Sequence, residues 1–281
     1  MERIVLGFDG SPAAASALSW VATRAARGAT TVDLVEVVSG FGGVRADAAD
    51  PFDDAEELLR DRAPAAVVRR HPAVAGDPGH GGDATVDAGL YVAGIDPGHP
   101  IRSAVAATSS LRVRTIAQVP VVLVPAGWID VGDPVTVGIA DDDSSAAALA
   151  FAALEAAATA ASLRLVHAWL MPTPSFEGTA ALVATPADVM AEHGAILDTA
   201  ATWVAAQHPT VRVERELVRD SRAAALLRFA PRSSMVVIGG RRSGRVAPGL
   251  RDSVAAGVLW DAECPVVVVP HDAALAQPKE V

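Results

Sequence analysis

Arg3-Ile4-Val5-Leu6-Gly7-Phe8-Asp9-Gly10-Ser11-Pro12 is an apolar run that breaks into a polar turn, and the way this stretch recurs decides the fold. Its centre, Gly7-Phe8-Asp9-Gly10-Ser11, has a counterpart in Gly138-Ile139-Ala140-Asp141-Asp142, 131 residues further on. The same shift carries Leu18 onto Leu149 and Leu34-Val35 onto Leu165-Val166. Later it changes once: Gly94, Thr108 and Pro120-Val121-Val122-Leu123-Val124 match Gly239, Ser253 and Pro265-Val266-Val267-Val268-Val269 at a shift of 145. The chain is an internal duplication, and the second copy holds 14 more residues in its middle.

Within each copy, short Val-rich runs bounded by turns alternate with helical patterns, the signature of βαβ units and a parallel sheet buried on both faces. Strands are expected at about 3–8, 31–37, 65–69, 90–93 and 121–124, and again at about 135–139, 163–168, 211–218, 235–238 and 266–269. Ala14, Ala17, Leu18, Val21, Ala22 and Ala25 form one apolar helical stripe, with Ser11 and Pro12 as N-cap and first-turn pair. Val189, His193, Ile196, Leu197, Ala200, Trp203 and Val204 lay out a longer helix that ends at His208-Pro209 and absorbs part of the length difference. A short helix is expected at 222–229. The matching residues 76–85 hold four glycines and a proline, which disfavour a helix there by roughly 1 kcal/mol per Gly and 3 kcal/mol per Pro, so the first copy should have a loop. The expected architecture is α/β: two tandem, doubly wound, five-stranded parallel-sheet domains at residues 1–126 and 135–271, a linker at 127–134 in which Trp128 and Ile129 pack, and a tail at 272–281.

Composition narrows the function classes. Hydrophobic content of 51% with only 4% aromatics gives a core of Ala, Val and Leu, suited to close helix-on-sheet packing. A net charge of −10 argues against a sequence-blind grip on nucleic acid or on an anionic membrane. No apolar stretch approaches the ~20 residues of a spanning helix and the chain opens directly on a strand, so a soluble cytoplasmic protein is expected. The single cysteine, Cys264, precedes a Val run and reads as a small buried thiol.

In such a sheet, ligands bind beyond the carboxyl ends of the strands where strand order reverses, so the loops after the first and fourth strands matter most. After the fourth strand of the second copy comes Gly239-Gly240-Arg241-Arg242 and, later, Asp252-Ser253 at a helix start. With the opening Val5-Leu6-Gly7-Phe8-Asp9-Gly10-Ser11-Pro12, the strand Leu165-Val166-His167-Ala168-Trp169 and the closing Cys264-Pro265-Val266, this arrangement resembles a tandem pair from the universal stress protein family, over nearly the whole chain. The resemblance implies an adenine-nucleotide alpha-hydrolase-like fold, a pseudo-dimer joined through the final strands, and a regulatory protein responding to stress, with ATP as the ligand class, magnesium only where ATP binds, and no catalysis.

Nucleotide-binding members carry Gly-x-x-Gly, nine residues, then Gly-Ser or Gly-Thr. Glycines let backbone N–H groups approach phosphates, and the hydroxyl adds a donor at a helix start where the dipole favours anions. Here the second copy keeps Gly239 and Ser253 but has Arg242 and Asp252 at the other glycines, and the first keeps Gly94 and Thr108 but has Pro97 and Ala107. Arg242 and its neighbours Arg241, Arg245 and Arg251 suit phosphate, and equally read as a solvated loop capped by Asp252 or Ser253. By the resemblance, Asp9 contacts nucleotide and Val37 offers main-chain groups to adenine; Asp9 also reads as a turn aspartate and Val37 as core. The base end of the site survives in the first copy and more of the phosphate end in the second. The alternative is an interaction module whose nucleotide sites have decayed. His71, His80 and His99 with Asp77 and Asp83 fit no metal spacing, His167 reads as a packed core histidine, and no catalytic set is visible.

Overall fold

The computed structural model describes residues 1–37, 51–71, 88–96, 98, 119–130, 132, 134–170, 185–240 and 254–273. The first half contributes strands β1 (Glu2–Phe8), β2 (Thr30–Glu36), β3 (Val67–His71), β4 (Leu90–Ile95) and β5 (Val121–Pro125), with helices α1 (Pro12–Ala25) and α2 (Pro51–Arg62). The second contributes β6 (Val135–Ile139), β7 (Leu163–Trp169), β8 (Val213–Arg219), β9 (Met235–Gly239) and β10 (Val266–Val269), with α3 (Ala146–Thr159), α4 (Pro186–Gln207), α5 (Arg222–Leu227) and α6 (Val254–Leu259). All ten strands form one sheet in the order β3-β2-β1-β4-β5-β10-β9-β6-β7-β8. Each half is parallel, and the two meet antiparallel at β5 and β10.

The duplication reaches into the hydrogen-bond register. Ile4 pairs with Val32 and Leu90, and the residues 131 and 145 further on do the same: Val135 pairs with Leu163 and Met235. At the joint, Val122 lies opposite Val267, its own counterpart, while Val121 faces Val268 and Leu123 faces Val266. That is the pairing of an isologous contact, so a pseudo-two-fold axis runs through Val122 and Val267. The internal pairing of final strands expected from the sequence is present.

Both faces of the sheet are buried, as a parallel sheet requires. Ile4, Leu6 and Phe8 point into a core shared with α1, α2, α3 and α4, while Val5 and Val35 point into a second core on the opposite face, where α5 and α6 pack in the second half. The apolar stripe of α1 is buried as expected, and Ser11 Oγ accepts the Ala14 N–H at 3.1 Å. Helix α4 has 22 residues against 12 in α2 and ends at the equivalent position, which accounts for ten of the fourteen additional residues. It starts at a capping box: Thr185 Oγ1 accepts from the Asp188 N–H, and Asp188 accepts from the Thr185 N–H.

One side chain departs from the sequence reading: Ile129 is 78% exposed while its neighbour Trp128 packs. On the expected helix α4, Val204 is buried and the preceding Trp203 is 39% exposed. The short helix at Arg222 forms, whereas the expected loop at 76–85 lies outside the described residues. The outer strands carry charge, Arg69 and Arg70 on β3 and Glu214, Arg215 and Glu216 on β8, which discourages edge-to-edge pairing.

Candidate functional site

In the first half, order reverses between β1 and β4, and their carboxyl ends are the expected ligand crevice. Gly7 pairs with Val35 on one side and Ala93 on the other, so Asp9, Val37 and Gly94 follow within one or two residues on three adjacent strands. Asp9 is exposed, and its Oδ1 accepts the Ser11 N–H at 3.0 Å, a local turn that fixes the carboxylate at the mouth. The Val37 N–H donates to the Phe8 carbonyl at 3.0 Å. Beneath them the buried Tyr91 brings its hydroxyl over Gly7: a methyl group on Gly7 would stand 2.5 Å from Tyr91 Oη and 3.2 Å from Val37 Cγ2. Burial, and then the nearby Asp9 carboxylate, push the Tyr91 phenol well above its ordinary range, so it stays protonated.

Gly94 and Gly239 have a role independent of any ligand. A Cβ on Gly94 would lie 2.2 Å from the backbone carbonyl of Ala13, and one on Gly239 would lie 2.2 Å from the Ser144 carbonyl oxygen. In both halves the end of the fourth strand therefore presses against the start of the first helix closely enough to require glycine. Thr108, Arg242 and Ser253, with the other loop arginines and Asp252, lie outside the described residues.

The mouth of the second half is occupied by its own side chains. Ala140 stands where Asp9 stands, its N–H donating to Ser145 Oγ at 3.1 Å. His167, 2% exposed, has Nδ1 2.8 Å from the Ile139 carbonyl and Nε2 2.8 Å from Nδ1 of His193 on α4. A carbonyl only accepts, so Nδ1 of His167 carries the proton, Nε2 of the neutral ring accepts, and His193 donates. Burial above all holds the His167 pKa below its ordinary value, with His193 adding to the effect. The His193 ring also stacks on Trp169 at 5.9 Å, and Arg219 lies 5.7 Å from the Trp169 ring centre. Asp141 pairs with Arg222 at 2.8 Å, with both side chains about half exposed, a contact of small energetic weight. His167 is thus the packed core histidine that the sequence suggests. His193, Trp169 and Tyr91 escaped the sequence reading as lining residues; comparing each copy with its counterpart would have flagged Tyr91, whose counterpart in the sequence is Val236, and Trp169, whose counterpart is Val38.

Elsewhere, His71 is spoken for. Its Nε2 sits 2.8 Å from Asp33, a fully buried carboxylate on β2 that Arg3 also contacts at 2.6 Å. His80, His99, Asp77 and Asp83 lie outside the described residues. Burial pushes the Cys264 thiol up to about 12, so it is unreactive at neutral pH. Among the described residues no helix is long and apolar enough to cross a membrane.

A model of the Universal stress protein family matches residues 133–270. A solved universal stress protein from Archaeoglobus fulgidus DSM 4304 is similar over 95% of this chain and 95% of its own, at 15% identity and a TM-score of 0.59. A putative universal stress protein from Pseudomonas aeruginosa UCBPP-PA14 is similar over 96% of this chain and 93% of its own, at 14% identity and a TM-score of 0.60. These two likenesses establish the fold along the whole chain. A universal stress protein solved in complex with cAMP is 26% identical over 49% of this chain, with a TM-score of 0.39. Residues 133–270 belong to the universal stress protein family, in a chain whose fold is shared with solved universal stress proteins over 95–96% of its length.

Proposed function

We propose that the protein is a non-catalytic regulator that takes adenine nucleotide, ATP as the first candidate, at the mouth of its first half. The supporting observation is the exposed Asp9 carboxylate at the reversal point of the sheet, flanked by Val37 and Gly94 on adjacent strands. Asp9 would accept from ribose or adenine donors and Thr108 would contact phosphate there; Gly239, Arg242 and Ser253, the proposed phosphate contacts of the second copy, belong to a separate mouth, because the antiparallel joint turns the carboxyl end of β9 away from that of β4. The working division is 1–126 and 135–271 with a linker at 127–134, and a cytoplasmic location fits the charge and composition.

A second reading has its own support: a module that keeps the fold for protein contacts alone. The glycines have a packing reason to be present, and His167, His193 and Trp169 fill the mouth of the second half. Thermal unfolding of the full chain with and without 1 mM ATP and magnesium separates the two. A Kd of ~10 μM would stabilise by about 2.7 kcal/mol and raise Tm by a few degrees. The first reading expects that shift in the wild type and its loss in Asp9→Ala, compared as ligand-induced shifts because Asp9→Ala also removes a turn contact. No shift in the wild type leaves the second reading.

A further inference from the structure

The joint between the halves carries a charge inversion on its symmetry axis. Arg24 on α1 donates from Nη1 to Glu155 Oε1 on α3 at 2.5 Å, across the two halves. The positions are 131 residues apart, the shift that relates the copies in this region, so Arg24 meets its own counterpart. Such a contact lies on the pseudo-two-fold axis, like Val122 against Val267. Around the pair, Arg24 also reaches Glu2 at 2.9 Å, and Arg27 reaches the other oxygen of Glu155 at 3.2 Å. Glu155 is 4% exposed and the Arg24 side chain 11%. Burial alone would lower the Arg24 pKa, but Glu155 and Glu2 hold it above the ordinary arginine range, so the guanidinium stays charged. The network is one-sided, since the counterpart of Arg27 is Ala158.

On a true two-fold axis a residue faces itself. Two first halves joined in this way would bring Arg24 against Arg24 with an Arg27 on either side, and two second halves would bring Glu155 against Glu155. A buried charge left against its like is strongly unfavourable, and this is the usual means by which wrong partners are excluded. We propose that Arg24 and Glu155 make the joint selective for unlike halves: the surface beside β5 and β10 accepts the other half of the duplication and rejects a second copy of the same half. The Val-rich strands alone do not make that choice, because Val121, Val122 and Leu123 offer nearly the same apolar edge as Val266, Val267 and Val268.

The test uses the full chain in a Glu2→Gln, Arg27→Gln background, so that the flanking charges do not oppose a swap. Arg24→Glu and Glu155→Arg are each expected to lower Tm by several degrees, and the double variant to recover more than half of the larger loss. Unfolding and refolding the two single variants together in equal amounts should give a 1:1 dimer of about twice the 28.7 kDa chain mass, read by sedimentation, because exchanged halves again place opposite charges on both axes. Neither variant alone should dimerise. Should the charge reversals not fold, Arg24→Gln and Glu155→Gln complete the same cycle, and the double variant is expected to lose less than the two singles combined. Singles that unfold like the parent, a double variant no better than the worse single, additive losses in the Gln cycle, or a mixture that stays monomeric would each overturn the proposal.

Discussion

The two halves share one backbone and fill it differently at the mouth. Gly7 and Gly138 are counterparts in register, yet the space above Gly7 is taken by the Tyr91 hydroxyl from β4, and the space above Gly138 by Leu226 from α5. Counting across, Tyr91 answers to Val236, and Leu226 answers to Gly81 in the first half. A large strand residue in one copy thus does the filling that a helix residue does in the other. Ladder hydrogen bonds and close backbone approaches have held the copies together, while side chains that merely fill space have diverged.

The largest expected effect tests the part held in common. Gly94→Ala and Gly239→Ala each put a Cβ 2.2 Å from a backbone atom that cannot rotate away, so both should lose about 3 kcal/mol or more in denaturant unfolding of ligand-free protein. If either is tolerated at less than about 1 kcal/mol, the two strand–helix contacts are not equivalent and the glycine reads differently in that half.

A smaller effect tests the divergent part. Gly7→Ala meets Tyr91 Oη at 2.5 Å and should destabilise by about 1–3 kcal/mol, whereas Gly138→Ala meets the end of Leu226 at 3.3 Å and should stay under about 1 kcal/mol. Removing the phenolic oxygen by Tyr91→Phe should reduce the penalty at Gly7, a coupling visible in a double-mutant cycle. Equal penalties at the two glycines with no coupling to Tyr91 would break the comparison.

The strands were legible because Val-rich runs repeat with two shifts, and the change of shift located the added length in the connection that became α4. The same shifts applied to charged positions would have set Arg24 against Glu155, but single residues read as helix surface until the pseudo-two-fold axis is known. Gly94 and Gly239 were found for one reason and explained by another: glycine signals close approach without saying whether a phosphate or a helix approaches.

The smallest effect sharpens the comparison through pH. His167 has Glu36 as its first-half counterpart, so a response from this site belongs to the second half alone. The folded state holds His167 below its ordinary value of 6.5, chiefly by burial. The unfolded chain therefore binds more protons between the folded and unfolded pKa values, and stability falls as pH drops through that window. Protonation would place a second N–H on Nε2, against the proton that His193 already directs at it. Asn at this position keeps a donor near Nδ1 for the Ile139 carbonyl and removes the titration. Between pH 7 and 5 the wild type should lose more stability than His167→Asn, by up to about 1.4 kcal/mol for each pH unit inside the window. Parallel curves for the two proteins would mean that the imidazole pair accepts the proton without strain, and that α4 is held at the mouth by Trp169 and packing rather than by a neutral His167.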